Sequence, residues 1–247
     1  MSREGAASVV RTGTHDMWRA GHAATVGVVR LVVVAFAAPG AEAVPCGARC
    51  YGIASWDPAH LNEGLKATVN VDCLHVNNTS NNFITFEAWL GKNGYWVEEG
   101  MGHGNPRTDR YWFWADFRPG WGYSEHDRPD LPHALGTDYT IGLWKHGVAD
   151  TSWYVYQNSS YVGTSTDNFG GSSNRTDSGS ETVYMSTNTR TNGRAKELQW
   201  RGGQGSWNDG WDHANVGHAE LVKQADYTAS WVNQYTHAII KLHPNDC

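Results

Sequence analysis

The dipeptide Asn93-Gly94 constrains the fold of this chain more than any other sequence feature. It separates FITFEAWL (residues 83–90) from YWVEEGM (residues 95–101), two short segments rich in aromatic and β-branched side chains. Asn-Gly is a preferred two-residue hairpin turn, because both positions must adopt a positive φ angle. The sequence therefore predicts a β-hairpin, followed by a third strand of the same sheet at RYWFWADFR (residues 110–118).

Composition favours an all-β fold. The chain of 247 residues contains 28 glycines and 13 tryptophans, and only 18% of its residues are charged. Short aromatic strands between Gly, Asn and Asp residues are typical of an antiparallel β-sandwich. We predict further strands at residues 66–73, 139–145, 152–157, 161–165, 181–186, 195–200 and 237–242. Irregular segments are expected at residues 46–64, 120–133 and 168–179, and one short C-terminal helix is possible at residues 212–232.

The N-terminal segment has the composition of a secretory signal peptide. An apolar stretch at residues 23–38 is followed by Ala41-Glu42-Ala43, which matches a small-x-small cleavage site. The apolar stretch is too short and too interrupted to be a transmembrane helix. We therefore predict that residues 1–43 are removed and that residues 44–247 form a single secreted domain. A buried apolar helix is the alternative interpretation of the same stretch.

Four cysteines remain after that cleavage, at Cys46, Cys50, Cys73 and Cys247. An even number in an exported chain favours two disulfides, and all three pairings are open. Cys46 and Cys50 are close enough to share a metal site, but Cys73 and Cys247 lack zinc-finger spacing. Disulfide bonds are therefore their predicted use.

Charge and motif content narrow the possible partners. The formal net charge is −6 and there is no run of Lys or Arg, so neither nucleic acid nor a membrane is an expected partner, and we expect a monomer. His103, His126 and His133 fall in predicted loops and could gather with Glu125 or Asp127 around a metal. No HExxH-type spacing places such ligands on one face. We therefore predict no metal and no cofactor.

Two adjacent carboxylates, Glu98 and Glu99, lie in the second strand of the predicted hairpin. Because successive strand residues point to opposite faces, Glu98 shares a face with Trp96 and Glu99 points the other way. Two carboxyl groups on one face can hold a water molecule, one accepting its proton while the other polarises the bond that breaks. Like charges at short distance divide their pKa values, which favours activity at acid pH. The candidates for such a pair are Glu87, Glu98, Glu99, Asp116, Glu125 and Glu181.

The order of elements resembles the glutamic peptidase families, the eqolisins and the neprosins, which are secreted β-sandwich proteases of the jelly-roll, concanavalin A-like type. The matching segments ATVNV, EAWLG, WVEEG, RYWFWADFRP, LGTDYTIGLW, WYVYQNSSYVGTS and GSETVYM lie within residues 66–186. In these families a catalytic Gln or Glu lies two residues before a Gly, which matches Glu98. A second catalytic Glu opens a later strand, which matches Glu181. Eqolisins carry Gln where Glu98 stands, and the neprosin-type cysteine pair is missing. The chain also resembles secreted bacterial proteins with the same WVE, WAD-RP and YxEH motifs.

The resemblance implies a secreted hydrolase that cleaves a polypeptide at acid pH with Glu98 and Glu181 as its catalytic pair. Seven residues are the predicted substrate contacts: Trp89, Trp96, Trp112, Trp114, Asp116, Glu125 and His126. A rival interpretation is a carbohydrate-binding module without catalysis, in which the four tryptophans form a platform for the sugar rings of a polysaccharide. A structural or antagonistic secreted protein is a third possibility.

Overall fold

Two antiparallel β-sheets, packed face to face, make up the computed structural model. The structure describes residues 49–244 except 57–61, 78–81, 106, 148, 184–188, 203–210, 214–218 and 234–235. Within these residues the chain forms fifteen strands: β1 Cys50–Trp56, β2 Asn62–His75, β3 Phe83–Lys92, β4 Tyr95–Gly104, β5 Arg110–Arg118, β6 Gly122–Asp127, β7 Asp138–Trp144, β8 Trp153–Gln157, β9 Ser160–Ser165, β10 Arg175–Thr182, β11 Arg190–Gly202, β12 Trp211–His213, β13 Ala219–Lys223, β14 Thr228–Asn233 and β15 His237–Leu242.

The described strands divide between a first sheet and a second sheet. The first sheet has the order β13-β1-β10-β3-β4-β5-β6. The second has the order β14-β15-β11-β2-β7-β8-β9, with β12 paired to β11. All of these neighbouring strands are antiparallel. The arrangement confirms the predicted all-β sandwich and places β3, β4 and β5 side by side in the first sheet, as the sequence predicted.

The hairpin between β3 and β4 turns at the predicted dipeptide. Asn93 and Gly94 have φ angles of 55° and 84°, as a two-residue turn of type I′ requires. The two strands that flank the turn are 10 residues long each and pair along their whole length. A local turn therefore sets the register of two strands that carry candidate site residues.

The core lies between the sheets and is built from alternate residues of their strands. Phe86 of β3, Met101 of β4 and Trp112 of β5 belong to one buried cluster with Ile141 of β7 and Val155 of β8. Burial of each large apolar side chain contributes roughly 1.5–3 kcal/mol. In β3, β4 and β5, alternate residues thus face the core, and the residues between them point to the other side of the first sheet.

The secondary-structure prediction was wrong in several segments. A helix was possible at residues 212–232, but residues 219–223 are strand β13 and residues 228–233 are strand β14. The predicted loop 120–133 contains β6, the predicted loop 168–179 contains the start of β10, and β1 lies in a segment predicted to be irregular. Backbone hydrogen bonds to a neighbouring strand stabilise these extended segments although their own apolar pattern is weak. As a result, Glu181 lies near the end of β10 and does not open a strand.

Cys50 of β1 and Cys73 of β2, the two cysteines that the structure describes, are buried and are not free thiols. Cys46, Cys247 and residues 1–43 lie outside the described residues, so the disulfide pairing and the signal peptide stay predictions. Within the described part of the chain, no helix is long and apolar enough to cross a bilayer.

Candidate active site

Alternate residues of β3, β4 and β10 point away from the core and line a groove on the outer face of the first sheet. Glu98 and Trp96 of β4 both line this groove. Their neighbours point inward: Val97 is part of the buried core, and Glu99 accepts a hydrogen bond of 2.9 Å from Trp112 Nε1. The alternation of strand residues therefore separates the two adjacent glutamates as the sequence predicted.

Two adjoining cavities make up the groove, with volumes of about 540 Å³ and about 310 Å³. Glu98 of β4 and Glu181 of β10 line both cavities, together with Arg49, which precedes β1. Both glutamates are buried, with exposed fractions of 7% and 5%. The fold thus brings together two carboxyl groups that lie 83 residues apart in the sequence.

A third glutamate lies between these two. Glu87 of β3 pairs directly with Gly100 of β4 and with Gly179 of β10. Glu98 lies two residues from Gly100, and Glu181 lies two residues from Gly179 in the opposite direction along the strands. The three carboxyl groups therefore follow a diagonal across three neighbouring strands. A Cβ atom at Gly100 would come within 2.4 Å of Glu87 Cβ, so glycine is required here to make room for Glu87.

Glu181 has a cationic partner. Arg49 Nη1 donates a hydrogen bond of 2.5 Å to Glu181 Oε1, and the Arg49 side chain is 40% exposed. Tyr51 of β1 pairs with Glu181 across the sheet, and its side chain favours the ionised carboxylate, which opposes the rise in the pKa of Glu181. The guanidinium of Arg49 also lies 5.9 Å from the ring centroid of Phe83. These contacts favour a negative charge on Glu181 in preference to the other two glutamates.

The protonation states of the three glutamates differ for physical reasons. Burial, and then repulsion from Glu181, raises the pKa of Glu98 to about 8. Burial, and then repulsion from Glu98 and Glu181, holds the pKa of Glu87 well above its usual range. Burial also raises the pKa of Glu181, but Arg49 and Tyr51 oppose that effect. At mildly acidic pH we therefore assign the charge to Glu181 and a proton each to Glu98 and Glu87.

A fourth glutamate lies on the same face at the edge of the sheet. Glu125 of β6 pairs with Ala115 of β5, which in turn pairs with Glu98 of β4. Tyr123 Oη donates a hydrogen bond of 2.6 Å to Glu125 Oε2. Glu87, Glu98, Glu125 and Glu181 all line the smaller cavity.

Aromatic side chains form much of the larger cavity. Trp89, Tyr95 and Trp96 line it together with Tyr51. Trp96 stacks on Phe117 of β5, with ring centroids 4.8 Å apart and an interplanar angle of 8°. The groove therefore combines an acidic end with an aromatic end.

Four of the predicted substrate contacts point to the opposite face of the sheet. Trp112 lies in the core, and Trp114 stacks on His126 with ring centroids 3.9 Å apart. Asp116 is buried and lies 3.2 Å from Arg118 Nε. Residues 112, 114 and 116 alternate along β5 onto the core-facing side, so they cannot share a face with Glu98. Of the seven predicted contacts, Trp89, Trp96 and Glu125 reach the groove.

Arg49, Tyr51 and Tyr123 are among the groove residues that the sequence analysis did not predict. Arg49 and Tyr51 lie in a segment predicted to be irregular, and no local signal marks them. Tyr123 alternates with Glu125 and could have been found by a two-residue period, but the surrounding glycines indicated a loop. No group of three or more His, Cys, Asp or Glu side chains converges on a metal-binding position in the described ranges.

Comparison with known proteins supports the fold. The sequence matches no family model and no curated protein. The structure is similar to that of scytalido-glutamic peptidase with a transition state analog inhibitor, at 11% identity over 78% of this chain and 97% of that chain, with a TM-score of 0.50. It also matches the eqolisin SCP-B in complex with the tripeptide Ala-Ile-His, at 10% identity over 77% and 96% of the two chains, with a TM-score of 0.48. A Bacillus licheniformis β-glucanase matches at 10% identity over 74% and 66%, with a TM-score of 0.36. The chain thus has a fold similar to that of scytalido-glutamic peptidase.

Proposed function

We propose that this protein is a glutamic-peptidase-like hydrolase that cleaves polypeptides with Glu98 and Glu181. The observation that carries the proposal is that both carboxyl groups line the same two cavities. Arg49 forms a hydrogen bond with Glu181 and none with Glu98 within the described structure. The similarity of the fold to scytalido-glutamic peptidase supports this class of reaction. We further propose that the protein acts outside the cell with oxidised cysteines, on the basis of its N-terminal segment and cysteine count, and that it is a monomer.

In the proposed mechanism Glu181 acts as the general base. Its carboxylate takes a proton from a water molecule as the water oxygen attacks the carbonyl carbon of the peptide bond. Glu98, which holds a proton because of burial, donates a hydrogen bond and then the proton to the carbonyl oxygen. The resulting gem-diol then collapses: the C–N bond breaks, the leaving nitrogen takes up the proton carried by Glu181, and one diol hydroxyl returns its proton to Glu98 as the carbonyl group re-forms. Glu87 lies between the two on the middle strand.

The experiment that tests this proposal uses one catalytic variant and one matched control. Glu181→Gln should lower the rate of hydrolysis of an unfolded protein by about 100-fold or more, because an amide cannot accept the proton of water. Glu99→Gln makes the same chemical change on the core-facing side and should leave the rate nearly unchanged. Circular dichroism of both variants checks that they are folded. Equal loss in both variants, or full activity in Glu181→Gln, would contradict the mechanism.

The aromatic end of the groove favours carbohydrate binding as the second candidate. Trp89 and Trp96 lie beside hydrogen-bonding groups, an arrangement that suits the apolar face of a sugar ring. This alternative predicts that the folded wild-type protein hydrolyses no polypeptide at any pH. It also predicts that Trp89→Ala abolishes binding to a polysaccharide.

A further inference from the structure

The smaller cavity carries more acidic than basic side chains. Among the described residues that line it, four are carboxylic acids and one is basic: Glu87, Glu98, Glu125, Glu181 and Arg49. The one guanidinium is bound to Glu181. Three carboxyl groups of this cavity thus lack an ion-pair partner at bonding distance within the described structure.

Glu125 is the member of this set that is open to solvent. It is half-buried on the edge strand β6, whereas Glu87 and Glu98 are only 2% and 7% exposed. The strands β4 and β6 are two strand spacings apart, about 10 Å, and the small side chain of Ala115 lies between Glu98 and Glu125 in the same cross-strand row. The Tyr123 hydroxyl fixes Glu125 Oε2 at 2.6 Å, which leaves Oε1 for a ligand.

We propose that Glu125 forms a subsite for a positively charged side chain, lysine or arginine, of the polypeptide substrate. The proposal rests on the proposed function for the nature of the substrate, but the binding of a cation does not depend on catalysis. A cation beside Glu125 gains a charge-assisted hydrogen bond and favours the ionised form of the neighbouring carboxyl groups. An anionic side chain would be repelled, and a neutral one would gain neither effect.

Proton release should accompany this binding. The titratable or charged groups that surround Glu125 come from seven segments: Glu98, Glu87, Glu181, Arg49, Tyr111, Tyr123, Asp127 and Arg107. Burial is the largest cause that raises the pKa of Glu125, and Asp127 raises it further. A bound cation favours the ionised carboxylates and lowers their pKa values, so protons leave the cavity when it binds.

The test compares two ligands that differ in charge but not in shape: N-acetyl-arginine amide and N-acetyl-citrulline amide. Binding to the wild-type protein is measured by titration calorimetry in two buffers with different heats of ionisation, so that proton release is counted. We expect the arginine ligand to bind about 10-fold more tightly or better, the gain of one hydrogen bond to a charged group. We also expect it to release protons, whereas the citrulline ligand should release none.

Two variants assign the effect to its residue. Glu125→Gln should remove the preference for arginine, and Glu220→Gln should keep it. Glu220 is exposed on β13, at the opposite edge of the same sheet. Its variant is the same Glu→Gln substitution at a position far from the cavity, and it therefore serves as the control. Equal affinity for the two ligands, or a preference that survives in Glu125→Gln, would overturn the subsite. If Glu125→Gln does not fold, the comparison of the two ligands on the wild-type protein still decides. Because no hydrolysis is measured, failure of the peptidase mechanism would leave this result intact, and the reverse also holds.

Discussion

Glu98 and Glu181 have identical side chains, but the groups that surround their carboxyl groups differ. Glu181 accepts a hydrogen bond from Arg49, and both Arg49 and Tyr51 oppose the rise in its pKa, so its ionised form is stabilised. Glu98 has no such ion pair within the described structure, and burial, followed by repulsion from Glu181, raises its pKa and favours its protonated form. The two residues can therefore serve as base and acid at the same pH, which is the requirement of the proposed mechanism.

This difference predicts a bell-shaped pH dependence of kcat/KM. Activity should rise as Glu181 ionises, at a pH above the ordinary glutamate pKa of 4.5 because its pKa is raised. It should fall as Glu98 loses its proton, near the pKa of about 8. Glu98→Gln should keep part of the activity and lose the alkaline decline, because an amide donates a hydrogen bond but does not ionise. The pH profile of each protein measures this, and an unchanged alkaline decline in Glu98→Gln would exclude Glu98 as the acid.

At the scale of the elements, the β3–β4 hairpin positions the site. Its turn sets which residues of β3 and β4 face each other, and thereby places Glu87 opposite Gly100, two residues from Glu98. A slip of one residue would send every groove side chain to the core. The conformation of two turn residues therefore controls a site that lies several residues away.

Substitution of Gly94 tests the energetic contribution of the turn. No atom lies within 4 Å of a Cβ built on Gly94, so Gly94→Ala introduces no clash and changes only the cost of its φ angle of 84°. We expect a loss of about 1 kcal/mol in the free energy of unfolding. Gly170 is equally open but has no positive φ angle, so Gly170→Ala should be neutral or slightly stabilising. Urea unfolding measures both variants, and similar effects of the two would argue against a strained turn.

At the scale of the whole molecule, the buried Lys145 connects a strand of the second sheet to the segment that leads into the first sheet. Lys145 follows β7 of the second sheet, and its Nζ donates hydrogen bonds to the backbone oxygens of Asp150 at 2.7 Å and Gly171 at 2.6 Å. It also lies 4.7 Å from the ring centroid of Trp153. Gly171 belongs to the connection that leads from β9 of the second sheet to β10 of the first, the strand that carries Glu181.

Lys145→Met should therefore destabilise the fold. The variant keeps a long side chain but removes the donor to two carbonyl groups and the positive charge that faces the buried Glu63. We expect a loss of about 3 kcal/mol in the free energy of unfolding, as for other buried charges that lose their partner. Lys223→Met, at an exposed position of β13, should change stability by less than about 0.5 kcal/mol. Denaturant unfolding gives both values, and equal stabilities of the two variants would show that the hydrogen bonds of Lys145 do not stabilise the fold.

The sequence by itself determined the features that depend on local geometry. The Asn93-Gly94 turn follows from the φ angles that these two residues tolerate, and the separation of Glu98 from Glu99 follows from the two-residue period of a strand. The sandwich class follows from many short aromatic strands. The same rule of alternation predicts that Trp112, Trp114 and Asp116 share one face of β5, but the register of β5 against β4 decides that this face is not the face of Glu98.

Only the tertiary structure decided which strands are neighbours. β10 pairs with β3 and β1, which places Glu181 beside Glu87 and brings Arg49 and Tyr51 to it. The segments at β1, β6, β13 and β14 become strands because a partner strand accepts their backbone hydrogen bonds, a condition that no local pattern reports. The pKa of each glutamate depends on the charged groups and the burial around it, and these are set by strand pairing between segments far apart in the sequence.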